Sequence, residues 1–491
     1  MPSGTTRDLR VGSLREASAI DTSYEVGRSD WMIVCVAIGY LIVTVIVMHA
    51  RSGAIFFMFV VIAATVLLAG IRRIVQIRYS VMLILIFLTA FFTAQRSISE
   101  LNNVELGEYS GVATVKTDPR TTGAATHVVI EINGDRFVIY AYGRPGWRLA
   151  GVKVGEQVFV DGIREEVAPD KKQRLMAQHI KGKFQITNIA EVRLPAAPMY
   201  RSAQKIRDLV RSGADSFEYA NRELFTGLVI GDDTRQSSAM IKSFRDSGLA
   251  HLVAVSGQNV AFILAGLSPL LAKLNRRSRI IITLIVLSWF VVITRVEPSV
   301  VRAAIMAGLG YVSVAIGRPT RTLRLIALTV LIAVVVDPLL ALSVGFYMSV
   351  GATCGLCLGA QKFAKMIPGP KWFAQLVGAS IAAQLGVMPA VIFVFGLPPA
   401  TGIIANIFAV PVAGVVMLFG LPLAIFSGLI SEFGLSSIAQ FIMFPVELAV
   451  RWVSWVAETF AHLKVHGVAN FALWLVIISA ILMMRHRSAR V

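Results

Sequence analysis

The decapeptide HLVAVSGQNV, His251 to Val260, places a histidine, a serine and two amides at the mouth of a long apolar run. Two chemistries fit these types. Ser256 could act as a nucleophile, which needs a base within reach and donors for an oxyanion. Alternatively, Ser256, Gly257, Gln258 and Asn259 could line a wet passage at a break in a membrane helix, where freed backbone groups face water. His251 stands five residues before the serine, which on a helix is about 140° round the axis. The other histidines, His49, His127, His179, His462, His466 and His486, have no recognisable catalytic context. A packed or capping Ser-Gly therefore competes with both readings, and a serine hydrolase is the weaker of the two.

Few other polar groups interrupt the apolar sequence. Arg302, in EPSVVRAAIMAGLG, either faces a hydrated cavity where it touches phosphate or snorkels to an interface. An arginine at the bilayer centre costs about 2.5–3.5 kcal/mol on insertion scales. Gln384 and Asn406 lie in the stretch from Trp372 to Ser431, which has no charged residue. Such amides either bond between helices or face a passage. Asp337 precedes Pro338 and marks a helix break. His462 and His466 have zincin spacing, but Leu463 stands where the glutamate should follow, so no metal site is expected. Cys354 and Cys357 form a C-x-x-C in an apolar helix, where small packing residues suffice. No Walker P-loop occurs, and no cofactor or resident enzyme activity is expected.

The elements that position these residues follow from composition. The 491 residues are 56% hydrophobic and 15% charged, with net charge +18. Soluble chains carry about a quarter charged residues, and a helix needs about 20 apolar residues to cross a bilayer. Trp31–Ala50, Ser52–Ile71 and Tyr79–Gln95 are blocks near that length. The fold class expected is a polytopic α-helical membrane protein of about twelve helices with a small inserted all-β domain. Residues 1–30 read as a polar cytoplasmic tail, without a cleavable signal peptide, and 31–96 as three transmembrane helices. Residues 104–193 read as an extracytoplasmic β domain, 198–230 as an amphipathic helical segment, and 231–491 as a transmembrane channel domain. Arg72, Arg73 and Arg78 between the second and third blocks, with the later basic segments NRRSR, RPTRTLR, QKFAKMIPGPK and RHRSAR, put both termini inside. Glu447 and Arg451, an i,i+4 pair, leave 438–459 ambiguous between span and interface.

The insert alternates in short β-branched and aromatic runs, HVVIEI, RFVIYAYG, QVFVDGIREEV and KFQITNI. Asn133-Gly134 signals a hairpin. GWRLAGVKVGEQVFVDG has the form of a turn leading into a strand. About five strands suggest an OB-like barrel, with an open sandwich as the other solution. Arg136, Tyr140, Tyr142, Arg144, Trp147 and Arg148 make a basic–aromatic cluster suited to single-stranded DNA. The insert's 13 Lys or Arg and 11 Asp or Glu make only a weak electrostatic trap, so a purely structural role stands beside DNA contact.

Six blocks in order resemble one family. They are GLVIGDDT, FRDSGLAHLVAVSGQNVAFILAG, EPSVVRAAIM, DPLLALSVGFYMSVGA, AAQLGVMPAVIFVFG and ANIFAVPV. The chain is similar to the ComEC-type competence proteins, inner-membrane channels for single-stranded DNA with an OB-like domain before the competence core. Many members read Ser-Gly-Leu-His where this chain has Ser-Gly-Gln-Asn, which puts proton chemistry at Asn259 in doubt. Many also carry a C-terminal metallo-β-lactamase-like domain that has no counterpart in this sequence.

The resemblance implies passage of single-stranded DNA across a bacterial inner membrane during natural transformation. His251, Ser256, Gly257, Gln258, Asn259, Arg302, Gln384 and Asn406 are the candidates for the path. The implied partners are single-stranded DNA, membrane lipid and other competence proteins: a DNA receptor, a cytoplasmic translocation ATPase or single-strand-binding proteins, and a separate nuclease. The alternatives are an intramembrane hydrolase using Ser256, a secondary transporter of a small anionic solute with Asp337 as its coupling carboxylate, and a scaffold that moves nothing itself.

Overall fold

A computed structural model describes residues 28–49, 77–193, 197–253, 256–317, 320–463, 465 and 467–488. Most of the N-terminal tail, the block Ser52–Ile71, Arg72, Arg73, Arg318 and His466 lie outside the described residues.

Helices α1 (Arg28–His49) and α2 (Ile77–Asn102) precede the β region. Its strands are β1 (Gly107–Val115), β2 (Arg120–Thr122), β3 (Ala125–Ile132), β4 (Asp135–Tyr142), β5 (Gln157–Glu165) and β6 (Ile180–Arg193). Helix α3 (Gly143–Ala150) follows β4, and α4 (Pro169–Met176) follows β5. The sheet order is β1-β5-β6-β4-β3-β2, and a β1–β3 pairing closes it into a five-stranded barrel with β2 as an outer flap. The β4–β6 pair is parallel and the remaining ladders are antiparallel. Counting only the barrel strands, this is the order 1-2-3-5-4-1 with a helix between the third and fourth, the connectivity of an OB-fold.

Alternation explains the barrel's interior. Val128, Ile130, Ile132, Phe137, Ile139 and Ala141 point inward and are buried with Val158, Val160 and Phe184. Each such Val, Ile or Phe stabilises the fold by about 1.5–3 kcal/mol on full burial. Asn133 and Gly134 both take positive φ, 51° and 90°, as a two-residue hairpin turn requires. The segment expected to turn into a strand does so at β5, but its first residues lie in α3, whose buried Leu149 packs in the barrel core. A side chain at Gly162 would collide with the carbonyl of Gln185, at a point where the β5–β6 register shifts.

The remaining chain is helical: α5 (Pro198–Gly213), α6 (Tyr219–Ile230), α7 (Ser238–Asp246), α8 (Ala250–Val253), α9 (Gly257–Leu271), α10 (Arg276–Ile293), α11 (Pro298–Ala315) and α12 (Thr322–Val336). A 3₁₀ turn (Pro338–Leu342) leads to α13 (Val344–Met366), α14 (Lys371–Phe395), α15 (Gly402–Glu432), α16 (Ser436–His462) and α17 (Gly467–Ser488). Small residues let these helices approach closely. Side chains at Gly351 and Gly355 on α13 would collide with the backbone of Gly386 and Ala382 on α14. Those at Gly213 and Gly428 would collide across the α5–α15 contact.

Among the described residues, four helices are long and apolar enough to cross a membrane: Asp30–Met48, Ile84–Asn102, Lys371–Phe395 and Gly402–Glu432. Counting α16 with α17 as one bent span gives up to five. The described residues do not support the expected count of about twelve helices. Gly257–Leu271 and Thr322–Val336 have 15 residues each. At 1.5 Å per residue they reach about 22 Å, short of the ~30 Å hydrocarbon core. Sequence blocks that look continuous are broken by turns and prolines. The stretch 438–459 lies within α16, where Glu447 takes Arg451 at 2.8 Å and also the backbone N–H of Glu218 at 3.4 Å.

The segment 198–230, read as an amphipathic helical segment, forms two helices, α5 and α6. Along α6, every residue from Leu224 to Ile230 is buried. The helix rests on α15, where a side chain at Gly420 would touch Phe225.

The ends of the helices sort by charge. Helix α10 begins with Arg276, Arg277 and Arg279 and finishes beside the barrel. Helix α12 begins after Arg321 and ends at Asp337, which touches the barrel residue His179. Helix α13 leaves the barrel end and closes with Lys362 and Lys365. The basic ends therefore lie opposite the barrel, about 27 Å away along an 18-residue helix. Asp30 on α1 accepts from Arg321 at the basic end, whereas Asn103, just past α2, accepts from Lys181 of the barrel. Helices α1 and α2 therefore run the same way.

Candidate functional site

Two barrel connections grip the helical domain. In the connection between β1 and β3, Asp118 takes Arg207 at 3.2 Å and Arg295 at 3.0 Å, and Arg120 takes Asp233 at 2.5 Å. In the connection between β5 and β6, His179 Nε2 meets Asp337 Oδ2 at 2.9 Å. Arg207 is 1% exposed. Its Nη1 donates to the carbonyls of Ile230 and Ile293, and its Nη2 also pairs with Asp232 at 3.1 Å. Arg211 pairs with Asp232 too, and Thr234 donates its hydroxyl to the same carboxylate at 2.7 Å. Burial pushes the Asp232 carboxyl up, but Arg207, Arg211 and Thr234 together hold it below the usual carboxylate range. Burial raises Asp233. One buried net thus joins α5, the loop after α6, the α10–α11 turn and the barrel. Arg295 and Val296 in that turn both take positive φ, 61° and 58°, which non-glycine residues rarely adopt.

These two connections are the ones that flank the ligand face of an OB-fold, which lies on its second and third strands. Here that face, β3 and β4, is partly covered. Val129 and Val138 point outward and are buried with Ile180 beneath Leu175 of α4. The exposed remainder is a row that runs Arg120, His127, Tyr140 across the strands, with the His127 and Tyr140 rings 6.1 Å apart.

The sequence-predicted cluster divides accordingly. Tyr140 and Tyr142 share the outer face, exposed at 39% and 65%. Arg144 and Trp147 are exposed on α3, which starts directly after Tyr142. Arg148 donates to the Ile189 carbonyl at 2.7 Å and is tied to the barrel wall. Arg136 sits at the other end of β4, about 13 Å along from Tyr140, and faces Glu131 at 3.9 Å.

The path candidates fall into two groups. Ser256 stands at the N-cap of α9 with its hydroxyl 3.5 Å from Asn259 Oδ1. Asn259 is 3% exposed and donates to the Leu228 carbonyl at 2.7 Å, which fastens α9 to α6. Gly257 packs on α11, since a Cβ there would meet Ala303 Cβ at 3.0 Å and the Ser299 carbonyl at 3.5 Å. Gln258 beside it is half-buried. Arg302 occupies the same turn of α11 and reaches sideways to α13. It donates from Nη2 to the Gly345 carbonyl at 3.2 Å and lies over the buried Phe346 ring, 5.3 Å from its centre. These residues form the first group.

The second group is at the α14–α15 joint. Gln384 Nε2 lies against Gly402, which itself abuts Gly248, and Asn406 follows one turn along α15. Gln384 Oε1 and Asn406 Oδ1 are buried without a hydrogen-bond partner among the described residues. His251, on the short α8, lies three residues from Gly248, which abuts Gly402 of this second group. The neighbour of the Ser256 hydroxyl is an amide oxygen, which is a poor base, and His251 makes no hydrogen bond to it. Asp337 caps the 3₁₀ turn through the Leu339 N–H at 3.1 Å and pairs with the barrel, at a helix end rather than at mid-span.

Residues 228–488 match the protein family described as "Competence: Competence protein". The chain belongs to the competence protein family. It is 23% identical over 354 residues to ComE operon protein 3 of Bacillus subtilis (strain 168), over 69% of this chain and 45% of that protein. This competence protein therefore spans about half the length of the curated relative it matches. No solved structure matches it.

Sequence reading gave no role to Asp118, Asp232 and Arg295 of this competence protein and set Arg207 off the apolar stripe of its helix, whereas Arg207 is buried. Arg207 carries a readable signal. It falls between Ala203, Val210 and Ala214, all buried, at the spacing of a core-facing helix stripe. An arginine in such a stripe demands buried acceptors.

Proposed function

We propose that the protein is a bacterial inner-membrane component of DNA uptake that passes single-stranded DNA inward during natural transformation. The barrel is extracytoplasmic, and the basic helix ends, with both termini, are cytoplasmic, as the positive-inside bias requires. The divisions read from the sequence, with a β domain over 104–193 and a channel domain over 231–491, are part of this proposal. Single-stranded DNA and lipid are the direct partners. A DNA receptor, a translocation ATPase or single-strand-binding proteins, and a separate nuclease act with it.

The observation that carries this reading is the placement of Arg302. It joins α11, which follows the Arg295 that holds Asp118 of one barrel connection, to α13, which follows the 3₁₀ turn capped by the Asp337 that holds His179 of the other. A charged polymer entering between those connections meets a guanidinium rather than a wall of hydrocarbon. Ser256 and Gln258 at the start of α9 lie beside α11, Asn259 anchors that start to α6, and Gln384 and Asn406 place further amides at the α14–α15 joint. Weak, exchangeable donors suit transit better than tight binding. Bases in contact with Tyr140, Tyr142 and Trp147 would stack without sequence preference.

The test is a deletion strain complemented with Arg302→Ala and scored for uptake of labelled DNA at unchanged protein level. Loss of uptake is expected. Normal uptake would remove Arg302 from the path.

A further inference from the structure

Arg302 is 6% exposed, yet two of its donors, Nε and Nη1, have no hydrogen-bond partner among the described residues. A buried guanidinium with two idle donors is costly unless something satisfies them. The third nitrogen, Nη2, donates to the Gly345 carbonyl, so the group lies beside the first turn of α13.

That helix has 23 residues, and its first N–H groups point out of its N-terminus. Phe346 N–H is capped by Ser343, but Val344 and Gly345 N–H have no acceptor among the described residues. Gly345 is exposed, and a Cβ there would meet nothing nearer than Ser343 Oγ at 3.8 Å. An exposed glycine, a helix N-terminus and an arginine with idle donors therefore meet at the first turn of α13. The Phe346 ring below fixes the plane of the fork. Glu297, at the N-cap of α11, acts on Arg302 electrostatically without a hydrogen bond to it, which weakens any anion held there.

We propose that Arg302, with the Val344 and Gly345 N–H groups, forms a binding site for one phosphodiester group. The guanidinium edge made by Nη1 and the second N–H of Nη2 takes two oxygens of a phosphate, and the helix N-terminus takes a third. This rests on the DNA-uptake reading above and deepens it: the anion is a backbone phosphate of the strand in transit, held singly and released. A phospholipid headgroup offers the same chemistry and is the competing source.

The full chain in phosphatidylcholine nanodiscs is titrated with a labelled oligothymidylate and with a peptide nucleic acid of the same sequence, which has no phosphates. Arg302→Gln is expected to weaken oligothymidylate binding by about tenfold. It should also lower the slope of log K against log salt by about one. Binding of the peptide nucleic acid should not change. Gly345→Leu fills the open room without touching the arginine, and it should reproduce the loss if Arg302→Gln folds poorly. Wild-type binding that both variants keep overturns the site while leaving the uptake reading intact. Absence of wild-type binding overturns the uptake reading itself. Anionic phospholipid that copurifies with the wild-type chain before reconstitution and is lost in Arg302→Gln, with oligothymidylate binding unaffected, overturns the assignment to DNA in favour of lipid.

Discussion

Asp118 of the barrel and Arg207 of α5 meet at 3.2 Å, with the two side chains exposed by only 17% and 2%. Their pairing, shared with Asp232 and Arg295, converts a separate β domain into a fixed cover over the helical domain. Removing one partner from a buried ion pair leaves an uncompensated charge, at a cost of about 3–5 kcal/mol. Arg207→Ala is expected to destabilise the protein by that order in thermal unfolding of the full chain. Arg207→Lys should rescue little, because an ammonium cannot serve two carbonyls and two carboxylates in the geometry of a guanidinium. Wild-type melting of Arg207→Ala would show that the net is not a structural joint.

The same net sets an acid limit. Asp232 is held below the ordinary carboxylate range despite its burial. A depressed folded-state value gives stability that is fully present above the unfolded value, about 3.9, and is lost as pH falls through the folded value. Unfolding temperature should therefore hold level through neutral pH and drop below about pH 4. Asp232→Asn should melt lower at neutral pH and show a shallower acid decline. An unchanged acid limb in Asp232→Asn would assign the decline to other carboxylates.

Asn259 bonds the Leu228 carbonyl at 2.7 Å. Asn259→Ala leaves that buried carbonyl unpaired, at a cost of about 1–3 kcal/mol. A denaturation series on the full chain measures this. No loss would mean that α9 is anchored to α6 by apolar packing alone.

Tyr140, Tyr142 and Trp147 are exposed and carry little of the barrel's stability. Alanine at each should change stability by less than about 0.5 kcal/mol. If bases stack there, each change should weaken single-stranded DNA binding by about 1–3 kcal/mol. Equal binding by the triple variant would leave the barrel a purely structural cover.

The barrel was legible in the sequence because its information is local. Alternation in HVVIEI and RFVIYAYG, with positive-φ residues at Asn133-Gly134, specifies a hairpin before any tertiary contact forms. Asp337 before Pro338 likewise announced its turn. The helical domain was less legible. Hydropathy does not reveal that the turn at Asp337 ends its helix after 15 residues, so the described residues do not support the expected count of about twelve. The grip of the barrel was invisible for another reason. Asp118 and Arg207 are 89 residues apart, and only the fold brings them together. Arg302 drew notice as a lone charge, but its unsatisfied donors appear only once Gly345 and Phe346 are in place.

The most direct test of DNA passage beneath the barrel is photocrosslinking during uptake. A photoreactive residue is placed at Gly345, and another at Phe441, an 81% exposed position on α16. Labelled DNA is stalled by a bulky end block. The account predicts DNA adducts at position 345 and none at 441. Stalled DNA that crosslinks at 441 but not at 345 would contradict it.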